Sequence, residues 1–194
     1  MKRSPAVLVL ATVFCASCSI NTGPQNPPVV KAEKDFASGG RIEMELDAGD
    51  YQVHAADGDR IRVSFSGNSD GATADLSNTG PRATLAIKNT PHNNFHATIE
   101  VPKTSDLVLR LAAGNLEMAG IAGSKDIDSK AGNVEIGVGS PNDYAGVDAT
   151  VKVGNLSGGP FGEPDGTLSH HLAWTGPGKY NLRANLGAGN LELK

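Results

Sequence analysis

Few residues in this chain have the types and spacing that chemistry requires, and each such set lacks a part. Gly67-Asn68-Ser69-Asp70-Gly71 has the G-x-S-x-G spacing of a nucleophile elbow and follows the alternating run Ile61–Phe65. An elbow serves acyl transfer only when a helix follows at once and presents the serine at a strained turn. Residues 72–80 (ATADLSNTG) carry no amphipathic stripe, so an exposed loop is expected. His92 and His96 have a metal-site spacing, but a loop gives them no shared face and no cysteine remains to join them. His170 and His171 would point to opposite faces of a strand. Asp57-Gly58-Asp59 could suit calcium, yet the residue that recurs at the corners of this chain is asparagine, whose neutral oxygen offers a hard cation little. Glu117, Glu135 and Glu192 are the carboxylates that a glycosidase pair would draw on. They occupy one repeated position, interleaved with Lys130 and Lys152, which reads as a solvated face with cross-strand pairing. Trp174, with Tyr144, Phe161 and Tyr180, is a sugar-stacking platform if exposed and a core or cap if covered. No catalytic residue, metal site or cofactor is expected.

The two cysteines suggest a different chemistry. Lys2 and Arg3 precede the apolar stretch Ala6–Phe14, which is too short to span a bilayer as a helix, and small residues follow it. This resembles a bacterial lipoprotein signal, which implies cleavage before Cys18 and lipidation of that residue. Cys15 stands where that pattern prefers leucine. Ordinary signal-peptidase cleavage nearby and an uncleaved anchor are the alternatives. Both cysteines, Cys15 and Cys18, fall in this leader, so the folded part has none and must be held by its own core. Losing Lys2 and Arg3 with the leader takes the net charge from −4 to −6. A mildly acidic surface argues against nucleic acid and against electrostatic capture by anionic lipid. The membrane is then a partner through a covalent lipid anchor. Ser19, next to the cysteine, suggests the outer membrane in bacteria that sort by that residue. The expected organisation is a signal peptide over 1–17, a lipidated Cys18 with a flexible tether over 18–37, and one domain over 38–194.

The elements that would position any site are strands. Apolar residues alternate in Ile42-Met44-Leu46, Ile61-Val63-Phe65, Leu85-Ile87, Ile99-Val101 and Leu107-Leu109-Leu111, and each run is bounded by Gly, Asn, Asp or Pro. No useful 3.6-residue stripe is present. A short phrase also recurs: AAGNLEM at 112–118, KAGNVEI at 130–136, KVGNLSG at 152–158 and GAGNLEL at 187–193, with DAGDYQV at 47–53 as a looser copy. Repetition on this scale marks stacked units. Aligned on Gly49, Gly114, Gly132, Gly154 and Gly189, the positions five, three and one before each glycine and two after it share one face. Glycine supplies the positive φ of a tight corner, and stacked asparagines would hydrogen-bond along a ladder. The spacings of 18 and 22 residues between Gly114, Gly132 and Gly154 suit successive rungs. The fold class is all-β, read as a β-solenoid or β-roll of strand–Gly-Asn–strand units, with an antiparallel β-sandwich as the alternative.

Pro102-Lys103-Thr104-Ser105-Asp106-Leu107, then Leu111-Ala112-Ala113-Gly114-Asn115-Leu116, then Ala131-Gly132-Asn133-Val134, resemble the DUF4097 family of β-strand-repeat proteins. That family commonly carries Gly-Asp at the corner; here only Asp50 keeps the acid, with Asn at 115, 133, 155 and 190. The resemblance spans about residues 38–194 and implies an adhesin-like role without a catalytic centre. The leading expectation is a lipid-anchored cell-envelope protein presenting a rigid binding or scaffolding surface to an unidentified envelope protein or glycan. An accessory role in envelope stress signalling and a degenerate polysaccharide-active enzyme are the alternatives.

Overall fold

The computed structural model describes residues 27–194. The leader, Cys18 and the first part of the expected tether lie outside the described residues. Thirteen strands follow: β1 (Val29–Asp35), β2 (Arg41–Leu46), β3 (Gly49–Ala56), β4 (Arg60–Gly67), β5 (Thr73–Thr79), β6 (Arg82–Lys88), β7 (Phe95–Pro102), β8 (Asp106–Leu111), β9 (Gly114–Ala119), β10 (Lys125–Ile136), β11 (Tyr144–Ser157), β12 (His170–Thr175) and β13 (Tyr180–Leu193). Among the described residues, helix is confined to two single 3-10 turns, Pro141–Asp143 and Gly159–Phe161. The period-two alternation explains the result, since inward positions such as Ile42, Met44 and Leu46 are buried while Arg41, Glu43 and Glu45 face solvent.

All the strands belong to one mixed sheet whose main path runs β1-β4-β7-β3-β9-β10-β8-β2-β6-β5, with β13 against β10, β11 against β13 and β12 against β11. The path folds back at β10, whose first half pairs in parallel with β8 and whose second half pairs in parallel with β9. The bend between the halves lies at Gly132, where φ is +128°. Gly114, Gly154 and Gly189 share that conformation and stand in register with it or with each other across the strands. The sheet thus wraps one core and nearly closes. Its two path ends meet where the Asn78 Nδ2 on β5 donates to the Asp35 carbonyl of β1 at 2.7 Å.

Three expectations change in detail. Rungs do not stack in chain order, because β13 lies between β10 and β11. The β11–β12 hairpin occupies the outer edge, and the chain returns inside it. Residues 18–37 are not all tether, since Val29–Asp35 pair with β4 and Phe36 is buried in the core. That segment lacks alternation because most of its residues are exposed on both faces, so the pairing left no pattern to read. The position before each corner glycine is not core either. Ala113 and Ala131 are half-buried and Val153 is 65% exposed, because the chain is already turning there.

The core is aliphatic along most strands, with Tyr51, Phe65 and Phe95 clustered beside Gly49 and a second aromatic group at the end of the long strands away from the corners. There Tyr144 packs edge-on against Phe161 at 5.7 Å and Tyr180 at 6.3 Å, and Phe161 meets Trp174 at 5.0 Å. Lys125 is buried among them at 2% exposure. Its ammonium donates to the carbonyls of Ile121 (2.9 Å) and Gly123 (3.1 Å) and to the Tyr144 hydroxyl (3.0 Å). All three donors are used, which is what makes a buried ammonium tolerable.

Candidate functional site

The repeated corner builds a continuous line of amides. Asn155 Nδ2 donates to Asn190 Oδ1 (3.0 Å), Asn190 to Asn133 (2.8 Å), Asn133 to Asn115 (2.8 Å) and Asn115 to Asp50 Oδ1 (2.7 Å). A carboxylate only accepts, so Asp50 at one end fixes the direction of every bond in the row. The glycines make the stacking possible. A Cβ on Gly132 would fall on the carbonyl oxygen of Gly114, one on Gly189 on that of Gly132, and one on Gly154 on that of Gly189. Gly49, in the looser copy, is not in the left-handed region, and a Cβ there would meet the side chain of Phe95 instead.

On the outer face of the sheet this row floors a trough of about 1140 Å³. Two residues along each strand from the asparagines lies a second row, with Gln52, Glu117, Glu135 and Glu192 in register on β3, β9, β10 and β13. Gln52 Nε2 donates to Glu117 at 3.2 Å, and Lys194 Nζ reaches Glu135 at 2.8 Å and Glu192 at 3.6 Å. Ser66, Asn68, Asn94 and His96 form the wall. The trough is therefore polar and acidic, and it is rigid because its floor is backbone-paired strand. Elsewhere on the surface lies a cleft of about 510 Å³ in which Arg110 is paired while Lys130 and Lys152 have no ion-pair partner among the described residues. Arg110 lies 3.3 Å from Asp126 and 3.2 Å from Asp128, and Asn185 donates to Asp128 at 2.8 Å.

The candidates read from sequence fall as follows. Gly67 ends β4, residues 68–72 form the loop to β5, and no helix presents Ser69. Asp57 is paired with Lys103 at 2.6 Å, and Asp59 accepts from the Ser38 amide at 3.2 Å. His170 and His171 are far from the trough, on β12 at the opposite edge. Glu117, Glu135 and Glu192 do come together, on neighbouring strands about 4.8 Å apart. All three remain open to water. Trp174 is half-buried against Phe161, which makes the aromatic concentration a plug of the core rather than a stacking platform.

One juxtaposition is invisible in the sequence. Ser66, His96 and Asp50 are directly opposite one another on β4, β7 and β3. His96 Nδ1 lies 3.4 Å from Asp50 Oδ2, but its Nε2 is matched to Asn94 Oδ1 at 3.2 Å and does not engage Ser66. The histidine thus ties the end of the amide row to the wall.

No protein-family model matches the chain, and no curated protein matches its sequence. Among solved structures, a candidate cell adhesion protein from Clostridium sporogenes is similar with a TM-score of 0.55 at 14% identity, covering 86% of this chain and 100% of that one. That likeness establishes a shared fold and nothing further. A candidate adhesin from Bacteroides fragilis (TM-score 0.28, 8% identity, 86% and 97% covered) is a far looser match. So is a candidate lipid-binding protein from Parabacteroides distasonis (TM-score 0.26, 11% identity, 86% and 97% covered).

Proposed function

We propose that this chain is a non-catalytic, adhesin-like protein of the cell envelope, held by lipid on Cys18 and presenting the trough to an envelope glycan or protein. The observation that carries the reading is the construction of the trough. Its amides and carboxylates stand on in-register strands and are fixed before any ligand arrives, so little ordering entropy opposes binding. The stacked Gly-Asn corners support a β-roll-like description of the rungs and the DUF4097-like reading of their motifs. The fold shared with the Clostridium sporogenes protein is consistent with an adhesive role.

Glycan-array and envelope-polysaccharide binding test the site, with wild type compared with Glu135→Arg and Asn133→Arg. Both changes place a long cation on the floor of the trough and should weaken binding at least tenfold while leaving the melting temperature within a few degrees. Unchanged binding by both variants would remove the trough from the proposal, and release of shortened saccharide would remove its non-catalytic character. Anchoring is tested by intact mass and membrane fractionation beside Cys18→Ser. A lipid-sized mass increment lost in the variant, with the protein moving to the soluble fraction, is the expected result. An unmodified wild-type mass would make the domain a free exported one.

A further inference from the structure

The asparagine row has one closed end and one open end. At the closed end Asp50 accepts from Asn115 and is met by His96. At the other end Asn155 donates one amide hydrogen to Asn190, while its second hydrogen and its Oδ1 have no partner among the described residues. The backbone is open there too. Beyond Val151, β12 no longer pairs with β11, and Val153–Ser157 bond only to β13 on their inner side. Other edges of the sheet are partly covered. The outer side of β12 is bridged by Asp165 and His171, and the ends at β1 and β5 lie against each other. The second half of β11 is therefore an uncovered row of donors and acceptors, with Val153 65% exposed within it and Leu168 85% exposed in the loop before β12.

We infer that this edge pairs with the same edge of a second copy, antiparallel, about a two-fold axis at Asn155. Three features of the edge are self-complementary. An axis at Asn155 sets the two Asn155 amides opposite each other, and the free hydrogen and free oxygen of each supply a reciprocal pair of bonds. The row directions agree with the axis, since in each copy the donors point away from it toward that copy's Asp50. No like charges oppose each other either, since an axis at Asn155 sets Lys152 of one copy opposite Gly158 of the other, Val153 opposite Ser157 and Gly154 opposite Leu156. An open edge would accept any extended segment; the same edge inverted meets all three features at once. The pairing keeps the sheet faces aligned, so the two troughs join into one on the same side of the dimer. The inference does not depend on what the trough binds.

Sedimentation of the purified protein and cysteine cross-linking test it, the latter in a chain whose Cys15 and Cys18 are serine. Directly opposed residues in an antiparallel pair have Cα atoms about 4.5–5.5 Å apart, within disulfide reach. Asn155→Cys should therefore give a reducible dimer under mild oxidation, and Asn115→Cys, in the interior of the row, should not. Asn155→Lys places two cations on the axis and should raise the dimer dissociation constant at least tenfold with the monomer still folded. A wild-type protein that stays monomeric at every concentration would overturn the inference. So would a dimer that Asn155→Lys leaves intact, or cross-linking by Asn115→Cys as fast as by Asn155→Cys.

Discussion

The long strands β10, β11 and β13 each have a corner in mid-strand and a beginning at the aromatic end, and the two places are built on opposite terms. At the corner, one solution is repeated. A glycine at positive φ receives the carbonyl of its neighbour where a Cβ would stand, and an asparagine one residue on hands a hydrogen to the next rung. At the aromatic end nothing repeats. Lys125, Tyr144, Phe161, Trp174 and Tyr180 arrive from different segments and fill the space between the sheet halves with unlike shapes. The corner is constrained by backbone against backbone, which tolerates one residue type. The far end is constrained by side-chain volume, which many combinations can satisfy.

The sharpest way to break this contrast is at the corner. Gly132→Val would need both a disfavoured backbone conformation and a methyl group on the Gly114 carbonyl. Strain and overpacking together should cost about 4 kcal/mol or more, leaving little folded protein by circular dichroism. A stable, cooperative melt for that variant would contradict the stacked corner. At the far end, Phe161→Ala removes a buried ring whose neighbours can relax, and a loss of about 3 kcal/mol in urea unfolding is expected.

A pH titration of stability isolates the far end further. Burial lowers the Lys125 ammonium to about 8, partly offset by Asp106. The folded state therefore binds fewer protons than the unfolded chain between pH 8 and the ordinary lysine range, and stability should rise with pH there, by up to about 3 kcal/mol. Burial raises the Tyr144 phenol to about 12 and pushes Tyr51 up as well. Above about pH 10 the unfolded tyrosines lose protons that the folded ones keep, so stability should then fall. Lys125→Met should abolish the rise and keep the fall; a rise that survives the substitution would assign it to another group. The smallest expected effect is at the exposed amide row, where Asn133→Ala should cost about 1 kcal/mol or less by thermal melting. A much larger loss would mean that the row, and not the glycines, holds the rungs together.

The same contrast explains what could be read in advance. The corner glycines, the asparagine row and the buried positions five and three before each glycine were legible because repetition displays them several times over. Val29–Asp35 was missed because an edge strand exposed on both faces shows no alternation. The trough was legible only as scattered parts. Glu117, Glu135 and Glu192 could be placed at one repeated position, but Ser66 and His96 belong to segments without that repeat and join the site only through the pairings of β4, β7 and β3.

By itself the sequence determined an all-β domain, the residue type at each corner and the line of asparagines, because local backbone geometry and side-chain periodicity are written in consecutive residues. Tertiary structure alone decided that β13 enters between β10 and β11, that the sheet folds back until β1 meets β5, and that the row ends at Asp50 on one side and at an open edge on the other. Parallel rungs of matching register are interchangeable to a local reading, and only the packing of the whole sheet selects which neighbours which.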